Sequence, residues 1–337
     1  MTVGLPQTAV TLYSFTPDFH AGRHDLDQLV ARAAELGMGP GLEIVGFQSI
    51  RDFPNLTPEF ERHFRGLLDR HGFEPACLDC NADRALRSDR MLSEDELYEY
   101  LAAQLRAAHR LGFPAARMQW TAGLPVMERL VPLAEQLDVR MGVEIHAPET
   151  VDSGWVLAQR EWHAKHQSPH LGFTIDFGSV TNQISPTMFQ AFREKGVAEE
   201  LFSAFSERWH ALDGQRFEAH EQMGNFIQLA HQYGAGDHAI NMSVFAVGIH
   251  GHGRPRMWLE ISDQIVHVHA KFFHVDEHGV EPSVPVAEQV QTLIDAGYGG
   301  YISSEWEGWH WDLHSDAFEQ VQREQRIIRS VLEAAAA

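Results

Sequence analysis

A short apolar segment, a turn and a helical segment follow one another eight times along the 337 residues of the chain. The apolar segments are the predicted strands Ala9–Phe15, Gly41–Phe47, Glu74–Cys80, Ala115–Trp120, Arg140–His146, Leu171–Gly178, Ile265–Phe273 and Tyr301–Glu307. Strands that alternate with helices form parallel sheets, because consecutive parallel strands need a long crossover connection. Eight such units joined by right-handed crossovers close into a barrel. We therefore predict an α/β fold, a (β/α)8 TIM barrel, as a single domain over residues 1–337.

The main alternative is an open, doubly wound sheet. The dinucleotide-binding form of that fold carries a Gly-x-Gly-x-x-Gly motif after its first strand. No such motif follows Ala9–Phe15. Helix boundaries agree with regular strand–helix units, since Thr57 and Pro58 begin one helix and Ser93 with Glu96 form a capping box at the start of another. These features favour the barrel.

One connection is far longer than a single crossover helix requires. Residues 179–264 separate the sixth and seventh predicted strands. Helical patterns cover Thr187–Lys195, Val197–Trp209 and Phe217–Tyr233, and a stretch rich in Gly, His and Pro covers Gly248–Pro255. An insertion after a barrel strand lies on the face where active sites form. A lid, a partner-binding surface and a structural addition all stay open for it.

Acidic, imidazole and amine side chains lie near the carboxyl ends of the last four predicted strands. Side chains of a strand alternate between its two faces, and the polar residues within each of these strands share one face. They are Glu144 and His146, then Asp176, then His267, His269 and Lys271, and finally Glu305 and Glu307. Barrel active sites are built at these strand ends, so we expect the side chains to converge there.

Three carboxylates in a desolvated lumen cannot all stay ionised without compensation. Each buried ion costs several kcal/mol, and like charges raise each other's pKa. A divalent cation would compensate them, and we predict Glu144, Asp176, His269 and Glu305 as its ligands, with Lys271 balancing the remaining charge. Mostly oxygen ligands with one imidazole favour Mn²⁺, with Mg²⁺, Co²⁺, Fe²⁺ and Zn²⁺ as alternatives.

Several neighbouring residues have two interpretations. Lys271, Glu307 and Trp306 are candidate substrate-binding residues. The alternatives are a buried ion pair for Lys271 and core packing for the tryptophan. His267 lies deeper in the lumen, and we predict a hydrogen-bonded core histidine there.

Charge and cysteine content limit the partners and the location. The 26 basic and 47 acidic residues give a net charge of −21, which disfavours nucleic acids and anionic membranes. The sequence has no apolar run long enough to predict a membrane-spanning helix. Its first residues lack the features of a signal peptide, and Cys77 and Cys80 are the only cysteines, so we expect a cytoplasmic protein.

The strand-end pattern resembles the xylose-isomerase-like sugar isomerase/epimerase barrels over nearly the whole chain. The residues that carry the resemblance are Glu144, Asp176 within Thr174–Gly178, His269 within His267–Lys271, and Glu305 after Gly297–Ile302. The resemblance implies a TIM barrel whose four matching positions bind one divalent metal, usually Mn²⁺. It also implies an enzyme that removes the proton next to a sugar carbonyl through a metal-bound enediolate, as sugar and sugar-phosphate isomerases and epimerases do.

A narrower resemblance is to the catalytic subunits of bacterial C-glycoside deglycosidases. It is carried by Glu144-Ile145-His146, the tryptophans after Glu305 and the long insertion. It implies action on 3-oxo-C-glycosides and a hetero-oligomer with a small β-rich partner subunit. His146 would be the base that takes the C2 proton before β-elimination expels the C1 aglycone. The alternative stays a homo-oligomeric isomerase or epimerase in which Glu144 and Glu305 flank the substrate and Glu305 is catalytic.

Overall fold

Eight parallel strands form a closed barrel in chain order, and β8 pairs with β1. The computed structural model describes residues 4–213, 218–234 and 236–337. The strands are β1 Gln7–Thr11, β2 Gly41–Val45, β3 Glu74–Asp79, β4 Ala115–Met118, β5 Arg140–Ile145, β6 Leu171–Asp176, β7 Ile265–Phe272 and β8 Tyr301–Trp306. The predicted TIM barrel is confirmed, and the doubly wound alternative is wrong because the sheet has no open edge.

Helices connect the strands and surround the barrel. In chain order they are α1 Thr16–His20, α2 Leu26–Glu35, α3 Gly46–Ser49, α4 Pro58–His71, α5 Glu94–Leu111, α6 Leu124–Leu137, α7 Gly154–His166, α8 Pro186–Glu194, α9 Glu199–His210, α10 Ala219–Gln232, α11 Asp237–Gly248, α12 Val286–Asp295 and α13 Ala317–Ala336. The helix starts predicted at Thr57 and Ser93 are confirmed, since their side chains accept the backbone N–H groups of Phe60 and Glu96. That the whole chain is a single domain stays a prediction.

The first strand is shorter than predicted. The sequence predicts a strand through Phe15, whereas β1 ends at Thr11 and a 3-10 turn covers Leu12–Phe15. The Thr11 hydroxyl accepts the N–H of Tyr13 at 3.3 Å, which caps this turn. A side-chain hydrogen bond of this local kind competes with strand pairing.

In the described part of the insertion between β6 and β7 there are four helices, α8 to α11. The first three correspond to the predicted helical segments, although Phe217, where the third prediction begins, lies outside the described residues. The fourth helix, α11, is not predicted from the sequence. Its apolar residues are spread around the helix instead of forming one face, so the helical period is hidden.

The end of the insertion packs directly on the loop that follows β6. Gly251 N–H donates to the carbonyl of Gly178 at 2.6 Å, and Gly253 N–H donates to the carbonyl of Ser179 at 2.8 Å. A Cβ atom on Gly251 would lie 2.4 Å from Ser179 Cα, so any side chain would collide with backbone. The insertion therefore supports the segment just after Asp176.

Apolar strand residues pack with the surrounding helices in a continuous hydrophobic core. Cys77 and Cys80 are buried free thiols. Within the described ranges, no helix is both long and apolar enough to cross a bilayer.

Candidate active site

The polar residues predicted near the ends of β5 to β8 lie together in the barrel. They are Glu144 on β5, Asp176 on β6, His269 and Lys271 on β7, and Glu305 on β8. Parallel pairing sets them at similar heights, with Asp176 opposite His269 and Lys271 opposite Glu305. All five side chains are almost completely buried.

Glu144, His269 and Glu305 form a compact group with the composition of a cation site. His269 Nδ1 lies 2.8 Å from Glu144 Oε1 and 3.6 Å from Glu305 Oε2. Each residue offers one ligand atom, and these atoms lie within 4.8 Å of one another. Glu305 Oε2 is buried and has no hydrogen-bond partner among the described residues. This unpartnered oxygen and the mixed oxygen and nitrogen donors fit a divalent cation.

Asp176 is not part of this compact group. Its Oδ1 accepts the N–H of Gly178 at 2.6 Å, and its Oδ2 lies 2.6 Å from Lys271 Nζ. The structure therefore brings three of the four predicted ligands together and pairs the fourth carboxylate with an ammonium group. Asp176 as a metal ligand stays a prediction.

Lys271 lies at the centre of a buried charge cluster. Its Nζ is 2.7 Å from His146 Nε2 and 3.2 Å from Glu307 Oε2. Burial lowers the pKa of Lys271, but the carboxylates of Asp176 and Glu307 outweigh burial and hold that pKa well above its usual range. The side chain is therefore a charged donor, and the His146 nitrogen accepts.

One tautomer of His146 fits its surroundings. Its Nδ1 lies 2.6 Å from the carbonyl oxygen of Ala147, which can only accept a hydrogen bond. The ring proton therefore lies on Nδ1, and Nε2 presents a lone pair. The His146 side chain is 26% exposed, so it is accessible from solvent, unlike the buried groups beside it.

The carboxyl groups differ in how well their charge is compensated. Burial raises the pKa of Glu305 to about 8, because His269 and Lys271 offset burial only in part. Burial also raises the pKa of Glu144, but Arg117 and His269 outweigh it and hold that pKa well below its usual range. A cation nearby would therefore change the charge of Glu305 more than that of Glu144.

The sequence reasoning missed three charged residues on β2, β3 and β4. Arg117 Nη2 lies 2.7 Å from Glu144 Oε2, and Glu43 Oε1 lies 2.8 Å from His269 Nε2. Asp79 Oδ1 lies 3.8 Å from the same histidine nitrogen. Their signal is a charged residue in a short, otherwise mostly apolar strand, because a buried charge is costly unless it is paired.

The remaining predicted residues have different outcomes. Glu307 faces the lysine cluster from the loop after β8. Trp306 is 2% exposed and its Nε1 donates to the carbonyl of Phe273 at 2.8 Å, which agrees with core packing. Its role in substrate binding stays a prediction. His267 is confirmed as a hydrogen-bonded core histidine, with Nε2 2.5 Å from Glu43 Oε2.

A cavity of about 940 Å³ lies beside this cluster. It is formed by the loop after β5, the segment after β6 and the end of the insertion, and Glu149, Thr181 and Arg254 are among its lining residues. None of the predicted site residues lines it, so the chemical groups described above belong to the barrel lumen and not to this cavity.

Comparison with known proteins identifies close relatives over the full chain. The chain is 43% identical to the 3′-dehydrocarminate deglycosidase alpha subunit of a Microbacterium species, over 98% of this chain and 96% of that protein. It is 41% identical to the C-glycoside deglycosidase alpha subunit of Microbacterium trichothecenolyticum, over 99% of this chain and 92% of that protein. No protein-family model matches the chain.

Solved structures share the architecture at low sequence identity. An L-ribulose 3-epimerase superposes with a TM-score of 0.57 at 11% identity, covering 98% of this chain and 96% of that chain. The IolI protein with a bound zinc atom superposes with a TM-score of 0.54 at 12% identity, covering 97% and 98%. At these identities the likeness shows the fold.

Proposed function

The chain belongs to the C-glycoside deglycosidase alpha-subunit family, and from this membership we propose that it is the catalytic subunit of an enzyme that cleaves 3-oxo-C-glycosides. The carbon–carbon glycosidic bond breaks by β-elimination after a proton is removed next to the sugar carbonyl. One observation supports this chemistry above others: the His146 Nε2 lone pair lies beside the buried residues of the candidate cation site.

Glu144, His269 and Glu305, joined by Asp176, would hold one divalent cation. We propose Mn²⁺, with Mg²⁺, Co²⁺, Fe²⁺ and Zn²⁺ as alternatives; the zinc atom in a solved protein of the same fold is consistent with a divalent ion. When bound, such a cation acts as a Lewis acid that makes the C–H next to a carbonyl more acidic. Lys271 Nζ lies 2.6 Å from Asp176 Oδ2, so a cation bound to that carboxylate would compete with the ammonium group for it.

His146 performs the proton transfer. Once Lys271 releases the Nε2 lone pair, Nε2 accepts the proton from sugar C2, and the electron pair of the C2–H bond moves toward the C3 carbonyl. That pair then forms a C1–C2 double bond, the bond from C1 to the aglycone breaks, and the aglycone leaves with the bonding pair and takes up a proton. A positioned base of this kind contributes about 10²- to 10⁴-fold to rate.

Lys271 and Glu307 are proposed to contact the sugar. Lys271 Nζ lies 2.7 Å from the proposed base nitrogen of His146, so a substrate that approaches this nitrogen also approaches the ammonium group. Glu307 Oε2 lies 3.2 Å from Lys271 Nζ, and its carboxylate could also accept a sugar hydroxyl. Trp306 is the third predicted substrate contact, and its indole is buried like the side chains of Lys271 and Glu307.

A sugar or sugar-phosphate isomerase or epimerase is the second candidate. Glu144 and Glu305 approach the same His269 nitrogen at 2.8 Å and 3.6 Å. Two carboxyl groups placed in this way could remove and return a proton, with Glu305 as a catalytic residue. The full-length relatives favour the deglycosidase, since the epimerase likeness rests on the fold.

A partner subunit is part of the proposal. The relatives are named alpha subunits, and we propose a hetero-oligomer with a small β-rich subunit that acts on a small-molecule glycoside. We place the reaction in the cytoplasm, a reducing compartment that matches the free thiols of Cys77 and Cys80.

The direct test is release of aglycone from a 3-oxo-C-glycoside. The complex of this chain with its co-purified partner is incubated with Mn²⁺ and 3′-dehydrocarminate, the compound in the name of one relative, and the products are separated by chromatography. We expect free aglycone from the wild type and none from His146→Ala. An epimerised sugar with its carbon–carbon bond intact would instead support the second candidate, and no conversion of this or other 3-oxo-C-glycosides would contradict the proposal.

A further inference from the structure

Glu43 is a buried carboxylate that contacts the back of the candidate metal site. It lies on β2 and is fully buried. Its Oε1 lies 2.8 Å from His269 Nε2, and its Oε2 lies 2.5 Å from His267 Nε2. Although these two atoms are 2.8 Å apart, neither Glu43 Oε1 nor His269 Nε2 meets hydrogen-bond geometry with any described residue.

The two ring nitrogens of His269 face different partners. Nδ1 faces Glu144 and Glu305, the carboxyl groups proposed to bind the cation, whereas Nε2 faces Glu43. A neutral imidazole carries one N–H and one lone pair, and a cation binds the lone pair. Nδ1 forms a hydrogen bond with Glu144 Oε1 at 2.8 Å. A cation bound beside Glu144 and Glu305 would need the Nδ1 lone pair, and the ring proton would then lie on Nε2, where the carboxylate of Glu43 can accept it.

We infer that Glu43 is a positioning residue of the metal centre, whose carboxylate holds the Nε2 proton of His269 and so directs the Nδ1 lone pair toward the cation. The inference rests on the proposed function, because it needs the metal centre proposed there. Glu43 touches neither the sugar nor the cation and acts through His269.

The position of Glu43 is itself fixed by a second histidine. His267 Nε2 lies 2.5 Å from Glu43 Oε2, and Ser303 Oγ lies 3.1 Å from the same nitrogen. The rings of His267 and His269 meet edge to face, with 5.6 Å between their centres. Glu43 therefore cannot turn away from His269 without breaking a buried contact.

Glu43, His267 and His269 could also be read as a separate group of metal ligands, since their ligand atoms lie within 4.8 Å of one another. His267 Nε2 is already engaged in hydrogen bonds with Glu43 Oε2 and Ser303 Oγ, which favours a hydrogen-bonding role for this group.

The test compares Mn²⁺ binding by metal-free wild type, Glu43→Ala and Glu43→Gln, with no glycoside present. Calorimetry gives the dissociation constant and the stoichiometry, and electron paramagnetic resonance reports the surroundings of the bound ion. We expect Glu43→Ala to weaken binding about 10- to 100-fold and to change the spectrum. Glu43→Gln keeps an oxygen that can accept the Nε2 proton, so it should lose less affinity.

Glu324→Gln is the matched control, because Glu324 is equally buried but bonds Ser304 between α13 and β8. It should bind Mn²⁺ like the wild type. The inference would be overturned if Glu43→Ala binds Mn²⁺ with the affinity and the spectrum of the wild type. It would also be overturned if the wild type binds two Mn²⁺ ions and Glu43→Ala binds one. If Glu43→Ala does not fold, Glu43→Gln decides: a loss of about threefold or more supports the inference and an unchanged affinity overturns it. A wild type that binds no Mn²⁺ would instead contradict the proposed metal centre.

Discussion

Buried ammonium groups are costly unless they are paired, and Lys271 is paired with the carboxylates of Asp176 and Glu307. Its ammonium group supplies positive charge beside Asp176, as a cation bound to that carboxylate would. We expect the proposed cation to replace this ammonium group as the partner of Asp176.

Replacing the lysine tests this exchange. Lys271→Met leaves Asp176 unpaired in the metal-free protein, and we expect the free energy of unfolding to fall by about 3–5 kcal/mol. Mn²⁺ should restore more stability to the variant than it adds to the wild type, as measured by urea unfolding with and without the ion. Lys165→Met, at an exposed position, is the control, and equal stability of the two variants would contradict the pairing.

His146 and Glu305 have separable proposed roles. His146→Ala should keep Mn²⁺ binding and lose about 10²-fold or more in turnover, because only the proposed base is removed. Glu305→Gln should lose both, since a ligand is removed. Elemental analysis and aglycone release measure the two properties; wild-type turnover in His146→Ala would exclude it as the base.

Glu324 should make stability fall with rising pH. Burial raises its pKa to about 8 in the folded protein, above the ordinary value for Glu in an unfolded chain, about 4.3. Since the unfolded state ionises first, the stability associated with this group is fully present below the unfolded pKa and decreases until the folded pKa is reached. We therefore expect Glu324→Gln to gain stability relative to the wild type between about pH 5 and pH 8. The melting temperatures of both proteins, measured across this pH range, test this expectation. The exposed Glu333→Gln should show no such trend, and a parallel pH profile for both variants would contradict the expectation.

The elements around the site explain how Asp176 is held. The loop after β6 is buttressed by the Gly251–Gly253 segment of the insertion, through backbone hydrogen bonds to Gly178 and Ser179. This contact assigns the insertion at least a structural role and leaves its proposed roles as lid or partner surface untested.

Gly251→Ala tests whether the insertion supports the loop after β6. The new Cβ would lie 2.4–2.5 Å from three backbone atoms of Ser179, and we expect a loss of about 1–3 kcal/mol in unfolding free energy. A weaker affinity for Mn²⁺ should accompany it, because the segment after Asp176 is displaced. In Gly248→Ala, the added Cβ meets nothing within 4 Å, so urea unfolding and calorimetry should match the wild type. If both variants have the same unfolding free energy and the same Mn²⁺ affinity, this supporting role is excluded.

Periodicity predicts the elements well where it is regular. All eight strands and the capped helices α4 and α5 follow from alternation and boundary residues. The helix α11 does not, because its apolar residues have no single face. The same limit applies to the site. Glu144 and Glu305 lie next to the ends of their strands, and His269 lies in a series of alternating polar residues, so these positions are conspicuous. Glu43 and Arg117 are single charged residues on strands of five and four residues. Their partners come from distant strands, which a single strand's pattern does not reveal.

The buried charged side chains lie around the axis of the barrel. Each of β2 to β8 contributes at least one acidic, basic or imidazole group to the lumen, and the acidic groups are only partly compensated by Arg117, Lys271 and the histidines. The net charge of −21 has the same sign. A protein with this distribution favours a cation in its lumen, and a ligand that binds the folded state alone stabilises it by about 2.7 kcal/mol at 100 times its dissociation constant.

An anomalous-scattering map from crystals grown with Mn²⁺ tests the proposed metal centre most directly. We predict a single strong peak in the lumen, bonded to the carboxylates of Glu144, Asp176 and Glu305 and to His269 Nδ1, with Lys271 Nζ displaced from Asp176. A map with no peak among these side chains, and with Lys271 still against Asp176, would contradict the metal centre and the chemistry proposed from it.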